Sequence, residues 1–144
     1  MFNRIDDNFL ASPQIAREQI AEAAALGVRM IVNNRPEGES ADQTPGNEIE
    51  AVARAAGIAY VAIPVTHAGF SAPQVDAMAR ALADAQGPVL GYCRSGTRST
   101  LLWALAEASR GASPDTLAEK AARGGYDITP VREICDMLAA KAQG

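Results

Sequence analysis

The stretch PVLGYCRSGTRSTLLWAL, residues 88–105, decides the fold. Its first five residues form a short apolar run that is typical of a buried β-strand. The segment after the loop has apolar residues on several sides, including Trp103, as a helix buried against a sheet does. The stretch therefore predicts a strand at residues 88–92 that leads through a tight loop into a helix over about residues 98–110.

A helix followed by a strand occurs twice more upstream. Ser12 and Pro13 have the pattern of an N-cap with proline at the first helical position, and Ser71 with Gln74 has the spacing of a capping box. A glycine closes each helix, and a short apolar run follows it. Helices are predicted at 13–26, 45–56 and 72–86, and strands at 28–34, 58–63 and 88–92.

Helix–strand units with short connections favour parallel strands joined by right-handed crossovers. The predicted fold class is therefore α/β, with a mainly parallel central sheet flanked by helices on both faces. Beyond residue 98 the signals are only helical, with further starts near Ser113 and near Thr129. The polar stretch 36–44 is predicted to be a mobile surface loop.

The composition predicts one globular domain over residues 1–144, with 48% hydrophobic and 21% charged side chains. A net charge of -4 argues against a nucleic-acid partner. The first ten residues have no apolar run behind a basic flank, and no apolar run is long enough to span a membrane, so we expect no export signal and a cytoplasmic protein with no membrane partner. Two cysteines and one histidine exclude a disulfide framework and an ordinary zinc site, and we expect no metal and no cofactor.

The loop CRSGTRS, residues 93–99, carries the residues that we expect to do chemistry. Ligands of an open parallel sheet bind beyond the carboxyl ends of its strands, where this loop lies. A helix N-terminus offers unpaired N–H groups and partial positive charge. Since Arg94 and Arg98 flank it there, Cys93 is expected to be a thiolate and a nucleophile at neutral pH. Arg98 adds a planar fork for two oxygens of a tetrahedral anion.

The other loop residues are expected to hold an anion. Gly96 permits the positive φ that a ring of inward-pointing N–H groups needs. The predicted anion-binding loop comprises Arg94, Ser95, Gly96 and Thr97. Ser99 is expected either to donate a hydrogen bond to the thiolate or to cap the helix, and the sequence leaves both roles open.

Four strings of the sequence resemble a known family. CRSGTRS resembles the active-site loop of rhodanese sulfurtransferases and, more loosely, the Cys-x5-Arg signature of tyrosine and dual-specificity phosphatases. With its flanks it resembles the phosphatase-like domain of the beta-lactamase-hydrolase-like proteins, over about residues 5–110. The resemblance implies a cysteine-phosphatase fold of the dual-specificity type, in a family also described as sulfur transferases, alone or fused to persulfide-handling enzymes. The strings are FLASPQIAREQI (9–20), IVNNRPEGE (31–39), YVAIPV (60–65) and PVLGYCRSGTRSTLLWAL (88–105).

Loop length and the lack of an acid favour sulfur transfer over phosphate hydrolysis. Six residues run from Cys93 to Arg98, which is the rhodanese length and one fewer than in the resembled phosphatases. The loop 64–70, which matches the phosphatase loop that carries an Asp general acid, has no Asp or Glu. We therefore expect a rhodanese-like sulfurtransferase, in which Cys93 takes sulfane sulfur from thiosulfate or a persulfide, becomes a persulfide, and passes the sulfur to a small thiol or cyanide.

Two alternatives remain open, together with the roles of three further residues. The first alternative is a cysteine-dependent phosphatase that acts through a phosphocysteine at Cys93, and the second is a non-catalytic anion-binding module. The substrate in each case is a small anion: thiosulfate, a persulfide or a phosphoester. His67 is a possible weak acid, and Arg35 is expected to bind a substrate anion or to pair with Glu37 or Glu39. Cys135 is predicted to be a core thiol.

Overall fold

The computed structural model describes all residues, 1–144, and contains one five-stranded sheet in the order β1-β2-β5-β3-β4. β1 is antiparallel to β2, and all other neighbours are parallel, which confirms the mainly parallel α/β fold. The strands are β1 (Asn3–Asp6), β2 (Phe9–Ser12), β3 (Met30–Asn33), β4 (Ala59–Ala62) and β5 (Val89–Tyr92).

Six α-helices cover both faces of the sheet. α1 follows a 3-10 turn at Arg17–Gln19, and α6 follows another at Thr129–Val131. The helices are α1 (Ile20–Ala25), α2 (Gly46–Ala55), α3 (Ala72–Asp84), α4 (Thr97–Ser109), α5 (Pro114–Arg123) and α6 (Arg132–Ala142). None of them has the length and apolar character that crossing a bilayer requires.

The three central strands are buried on both sides, because a separate core lies against each face. Every residue of β2, β3 and β5 is buried, as parallel strands between two layers of helices must be. The smaller core packs α1 and α2 against one face, and the larger core packs α3 to α6 against the other. Edge strand β4 is partly exposed.

Helix α4 runs through the larger core. Its residues from Ser99 to Ala106 are all buried, and the Trp103 ring stacks on Phe9 of β2 with centroids 5.6 Å apart. Offset or stacked aromatic pairs add to the free energy gained from burial alone. The helix that follows the loop is therefore fixed against the sheet, and its first turn provides a rigid base for the loop.

The prediction of a helix over residues 13–26 is wrong at its start. Ser12 is the last residue of β2, pairs in register with Tyr92, and donates its hydroxyl hydrogen to the Pro13 carbonyl oxygen at 2.8 Å. Helical structure begins only at Arg17, so Ser12 is not a helix cap. Strands β1 and β2 were absent from the prediction because Phe9–Ser12 resembled the approach to a helix more than a strand.

The other predicted elements agree with the structure to within a few residues. Ser71 Oγ accepts a hydrogen bond from the Gln74 N–H, and Gln74 Oε1 accepts one from the Ser71 N–H at 2.8 Å, so the capping box is confirmed. Cys135 is buried in the larger core, which confirms the predicted core thiol, and burial raises its pKa to about 11. Ile134, the residue before Cys135 in α6, is exposed.

Candidate active site

Cys93 lies between the end of β5 and the N-terminus of α4. Gly96 is the N-cap of α4 and has a φ of +93°, and its N–H donates a hydrogen bond to Cys93 Sγ at 3.1 Å. Cys93 is fully buried, so its sulfur lies at the base of the loop and not on the rim. The unpaired N–H groups and the dipole of a helix N-terminus favour negative charge at this position.

Arg98, in the first turn of α4, is held by two residues of other loops. Its Nη1 donates to Glu39 Oε2 at 2.7 Å and to the Val65 carbonyl oxygen at 2.6 Å, and its Nη2 donates to Glu39 Oε1 at 2.8 Å. Loops after β3 and after β4 thus meet the loop after β5 at this guanidinium. The pKa of Arg98 is raised, chiefly by the hydrogen bond to Glu39.

The contacts of Arg98 leave one edge of its guanidinium free to bind an anion. Guanidinium has five N–H donors, and both hydrogens of Nη1 are used by Glu39 and Val65. One hydrogen of Nη2 is used by Glu39. The Nε–H and the second Nη2 hydrogen remain, and this edge can donate two parallel hydrogen bonds to an oxyanion.

Glu39 connects Arg98 to Arg35. Arg35 is 5% exposed and donates from Nε to Glu39 Oε1 at 3.0 Å. Hydrogen bonds from Arg98 and, to a smaller degree, from Arg35 lower the pKa of Glu39 to about 2. Of the roles foreseen for Arg35, the structure contains the ion pair with Glu39. Glu37 instead accepts a hydrogen bond from the Gly46 N–H at the start of α2.

The segment 36–44 was predicted to be a mobile loop, but side chains tie it at several points. Gln43 Nε2 donates to the Pro36 carbonyl oxygen at 2.9 Å, and Gln43 Oε1 accepts from the Glu39 N–H at 3.0 Å. Arg35 also donates to Ser40 Oγ at 3.1 Å. The loop therefore presents Glu39 to Arg98 in a fixed position.

Replacing Glu39 with glutamine is expected to lower the free energy of unfolding by about 1 to 2 kcal/mol at pH 7, after allowance for solvent screening. The folded pKa of Glu39 is lowered from 4.5 to about 2, so its ionised form stabilises the folded state above about pH 4.5. That stabilisation is lost as the pH falls toward 2. Urea unfolding of both proteins at pH 7, 4 and 3 measures the difference, and a difference that does not shrink with acid would contradict this origin.

The remaining residues of the predicted anion-binding loop form its exposed rim. Arg94, Ser95 and Thr97 are all exposed, and Ser95 Oγ donates to Thr97 Oγ1 at 2.9 Å. Ser99 is buried in α4, and its Oγ has no hydrogen-bond partner. Neither role foreseen for Ser99 is present in this structure, since the helix is capped at Gly96 and the hydroxyl is bonded neither to sulfur nor to backbone.

His67 is exposed in the loop 64–70 and forms no hydrogen bond. The loop itself is joined to the site through backbone atoms, because the Val65 carbonyl oxygen accepts from Arg98 and the Val65 N–H donates to the Asn34 carbonyl oxygen at 2.9 Å. The structure thus brings the loop to Arg98 but does not fix the His67 imidazole there.

Tyr126 is a residue of the site that the sequence did not indicate. Its hydroxyl donates to the Ser95 carbonyl oxygen at 3.0 Å and accepts from Asn3 Nδ2 at 2.9 Å. It also occupies the space in which a Cβ at Gly96 would stand. No spacing in the sequence relates residue 126 to the loop, because α4 and α5 separate them.

Replacing Gly96 with alanine is expected to cost about 2 kcal/mol of stability, of which about 1 is the cost of a side chain at positive φ and about 1 the loss of the Tyr126 hydrogen bond. The matched control is Gly57→Ala, where φ is +78° and nothing lies within 4 Å of the new Cβ. Gly57→Ala should lose only the stability that a side chain at positive φ costs. Equal losses in urea unfolding would show that the contact with Tyr126 contributes nothing.

Comparisons with known proteins identify the family. Residues 2–110 match the family described as beta-lactamase hydrolase-like protein, phosphatase-like domain. A beta-lactamase hydrolase-like protein of Xylella fastidiosa is 40% identical over 104 residues, which are 72% of this chain and 24% of that protein. The chain thus spans about a quarter of the length of the curated relatives it matches.

Solved structures agree with the fold described above. A crystal structure of a candidate phosphatase from Neisseria meningitidis Z2491 has a TM-score of 0.81 and 30% identity, over 94% of this chain and 96% of that one. PTPMT1 has a TM-score of 0.73 at 16% identity, with 99% of each chain covered, which shows the dual-specificity-phosphatase-like fold alone. A second structure of PTPMT1 is a complex with PI(5)P.

The family and these relatives support the phosphatase alternative better than the expected sulfurtransferase. The matched residues contain all five strands in full and the whole loop from Cys93 to Ser99. They also contain Glu39 and Val65, which hold Arg98. With its site and its sheet inside the match, the chain belongs to the family of phosphatase-like domains of the beta-lactamase hydrolase-like proteins.

Proposed function

We propose that this domain, taken as residues 1–144, is a cysteine-dependent phosphatase. Cys93 sulfur attacks the phosphorus of a phosphate monoester, and the P–O ester bond breaks with its electron pair on the leaving oxygen, which solvent protonates only after it has departed. Water then attacks the phosphocysteine, the S–P bond breaks, and orthophosphate and the thiolate are released. The family description and the PI(5)P complex of a protein with the same fold support a phosphoester substrate.

The observation that carries the proposal is the hydrogen bond from the Gly96 N–H to Cys93 Sγ, at the start of the helix that also bears Arg98. A nucleophile and an oxyanion donor are thereby held on one rigid element. The free edge of the Arg98 guanidinium supplies two hydrogen bonds to the phosphoryl oxygens, whose charge must be balanced in the transition state.

The absence of a fitting general acid restricts the substrates. Glu39 is the carboxyl group on Arg98, and with its pKa at about 2 it is ionised and carries no proton to donate. His67 is exposed and unbonded. We therefore infer that the leaving group must depart without protonation, which favours aryl phosphates, whose phenoxide is a good leaving group, over alkyl phosphates.

Sulfane sulfur transfer is the second candidate, favoured by the length of the loop. The six residues from Cys93 to Arg98 are one fewer than the phosphatase signature has. In this reaction Cys93 attacks the outer sulfur of thiosulfate, the S–S bond breaks with its electron pair on sulfite, and cyanide or a thiol removes the sulfur from the persulfide. Sulfite is a stable anion, so it can leave without being protonated by a general acid. A persulfide-handling partner enzyme is part of this second candidate only.

Parallel assays of one preparation separate the candidates. The substrates are an aryl phosphate, an alkyl phosphate, thiosulfate with cyanide, and glutathione persulfide, each with native protein and with Cys93→Ser. Hydrolysis of the aryl phosphate well above the alkyl phosphate and above any sulfur transfer supports the proposal. Sulfur transfer without hydrolysis supports the second candidate, and binding of phosphate without either activity leaves an anion-binding module.

Replacing His67 with glutamine is expected to change aryl phosphate hydrolysis by no more than about twofold, since proton transfer by a positioned acid contributes about a hundredfold or more. The imidazole is exposed and has no partner that would hold it over the site. Steady-state kinetics between pH 5 and 8 measure the effect. A fall of a hundredfold, together with loss of one arm of the pH profile, would assign His67 the role of general acid.

A further inference from the structure

We propose that Tyr126 is a positioning residue that fixes the Ser95–Gly96 peptide so that its N–H points at Cys93 Sγ. The inference rests on the proposed role of Cys93 as the nucleophile. It assigns a function to a residue outside the part of the chain, 2–110, that matches the family.

The two hydrogen bonds that carry the inference belong to one peptide unit. The Tyr126 hydroxyl donates to the Ser95 carbonyl oxygen at 3.0 Å, and the Gly96 N–H donates to Cys93 Sγ at 3.1 Å. The peptide is trans, so its C=O and N–H point in opposite directions. Tyr126 therefore holds the outer end of the same peptide plane whose inner end faces the sulfur.

The flexibility of Gly96 is the reason that the Ser95–Gly96 peptide needs a hydrogen bond to fix its orientation. Rotation of the Ser95–Gly96 peptide changes φ of Gly96, and glycine adopts both signs of φ at little cost. The φ preference of Gly96 by itself therefore does not select the orientation that aims the N–H at Cys93. A hydrogen bond to the carbonyl oxygen selects it, and also polarises the amide and strengthens its N–H as a donor.

The Tyr126 hydroxyl is positioned by the turn that precedes Tyr126 and by a hydrogen bond from the amino-terminal strand. After α5, Gly125 has a φ of +90°, and the Tyr126 N–H bonds the Ala121 carbonyl oxygen at 2.9 Å, which turns the ring toward the loop. Asn3 of β1 donates to the hydroxyl oxygen, leaving the hydroxyl hydrogen for Ser95. Burial raises the pKa of Tyr126, so the hydroxyl keeps its proton at neutral pH.

The test is Tyr126→Phe, which removes only the hydroxyl, with Tyr60→Phe as the matched control. Tyr60 also accepts a hydrogen bond from an asparagine amide, at 3.0 Å from Asn33, but forms no hydrogen bond to the loop. The rate of iodoacetamide alkylation of Cys93 is measured from pH 5 to 10 without substrate, with the Cys93 and Cys135 peptides distinguished by mass spectrometry. Thermal unfolding of each protein is recorded in parallel.

In Tyr126→Phe the midpoint of the alkylation profile is expected to rise by about half a pH unit to one unit, which corresponds to the loss of one ordinary hydrogen bond. Tyr60→Phe should leave the midpoint in place. Asn3→Ala, which frees the hydroxyl but leaves it present, should move the midpoint in the same direction by less. It also serves as the test if Tyr126→Phe does not fold.

An unchanged midpoint in both Tyr126→Phe and Asn3→Ala, with only a lower melting temperature, would overturn the inference and leave Tyr126 a structural residue. This result is distinguishable from failure of the proposed function. If the native protein does not turn over phosphate esters but Tyr126→Phe shifts the alkylation midpoint, the positioning role of Tyr126 stands and the proposed function fails. If the native protein hydrolyses aryl phosphate through Cys93 but Tyr126→Phe does not shift the midpoint, only the role of Tyr126 is refuted.

Discussion

Replacing Cys93 with serine is expected to reduce aryl phosphate hydrolysis by at least about a thousandfold, as removal of a nucleophile does in enzymes that act through a covalent intermediate. A serine hydroxyl in the same position is not ionised at neutral pH, and the site has no general base beside it. The carboxylate of Glu39 is bonded to Arg98 and Arg35 and is too weak a base to take the proton.

The control for Cys93→Ser is the second cysteine of the chain. Cys135 is buried in α6 within the larger core, and burial raises its pKa to about 11. Cys135→Ala should therefore lose some stability and keep its activity when assayed below its melting temperature. Residual hydrolysis in Cys93→Ser within tenfold of the native rate, with an intact fold by circular dichroism, would refute the proposed nucleophile.

Replacing Arg98 with lysine is expected to lower kcat/KM for an aryl phosphate by about a hundredfold, even though the charge is kept. Three N–H hydrogens of the guanidinium hold Glu39 and Val65, and one edge is left for the substrate, whereas an ammonium group has no planar edge. The loss should fall mainly on kcat, because the planar fork fits the three equatorial oxygens of the in-line transition state better than the oxygens of the bound monoester.

Arg110 offers a matched control near the other end of the same helix. It follows directly after α4, is exposed, and pairs with Glu107 at 2.8 Å. Arg110→Lys should leave both kcat and KM unchanged within about twofold, since an exposed ion pair contributes little. If Arg98→Lys behaves like Arg110→Lys, the fork of Arg98 plays no part in binding the phosphoryl group.

The sequence predicted the elements around β5 well and the amino-terminal strands poorly. Residues 88–92 and the helix after them have strong local signals, namely an apolar run, a glycine-containing loop and a second apolar segment. Phe9–Ser12 is a strand because it pairs with β5, which lies about eighty residues further along the chain. Its local pattern of Ser12 before Pro13 favoured a helix start, and only the tertiary pairing overrides it.

The site was predictable as far as it lies in one stretch. Cys93, Gly96 and Arg98 lie within six consecutive residues, and their spacing predicts a nucleophile beside an anion-binding loop, although it does not predict which group is transferred. The bond from Arg98 to Glu39 links residues that are 59 positions apart. The IVNNRPEGE string indicated that Arg35 could pair with Glu37 or Glu39, which are near it in the sequence, and the structure contains the pair with Glu39. No local pattern indicates a contact with Arg98.

The covalent intermediate provides the most direct test. Native protein is mixed with an aryl phosphate, quenched in denaturant during turnover, digested and examined by mass spectrometry. The proposed function requires a peptide in which Cys93 carries one phosphoryl group, absent without substrate and absent from Cys93→Ser. The proposed function would be contradicted if the protein turns over while Cys93 stays unmodified, both at quench times shorter than one catalytic cycle and at longer times.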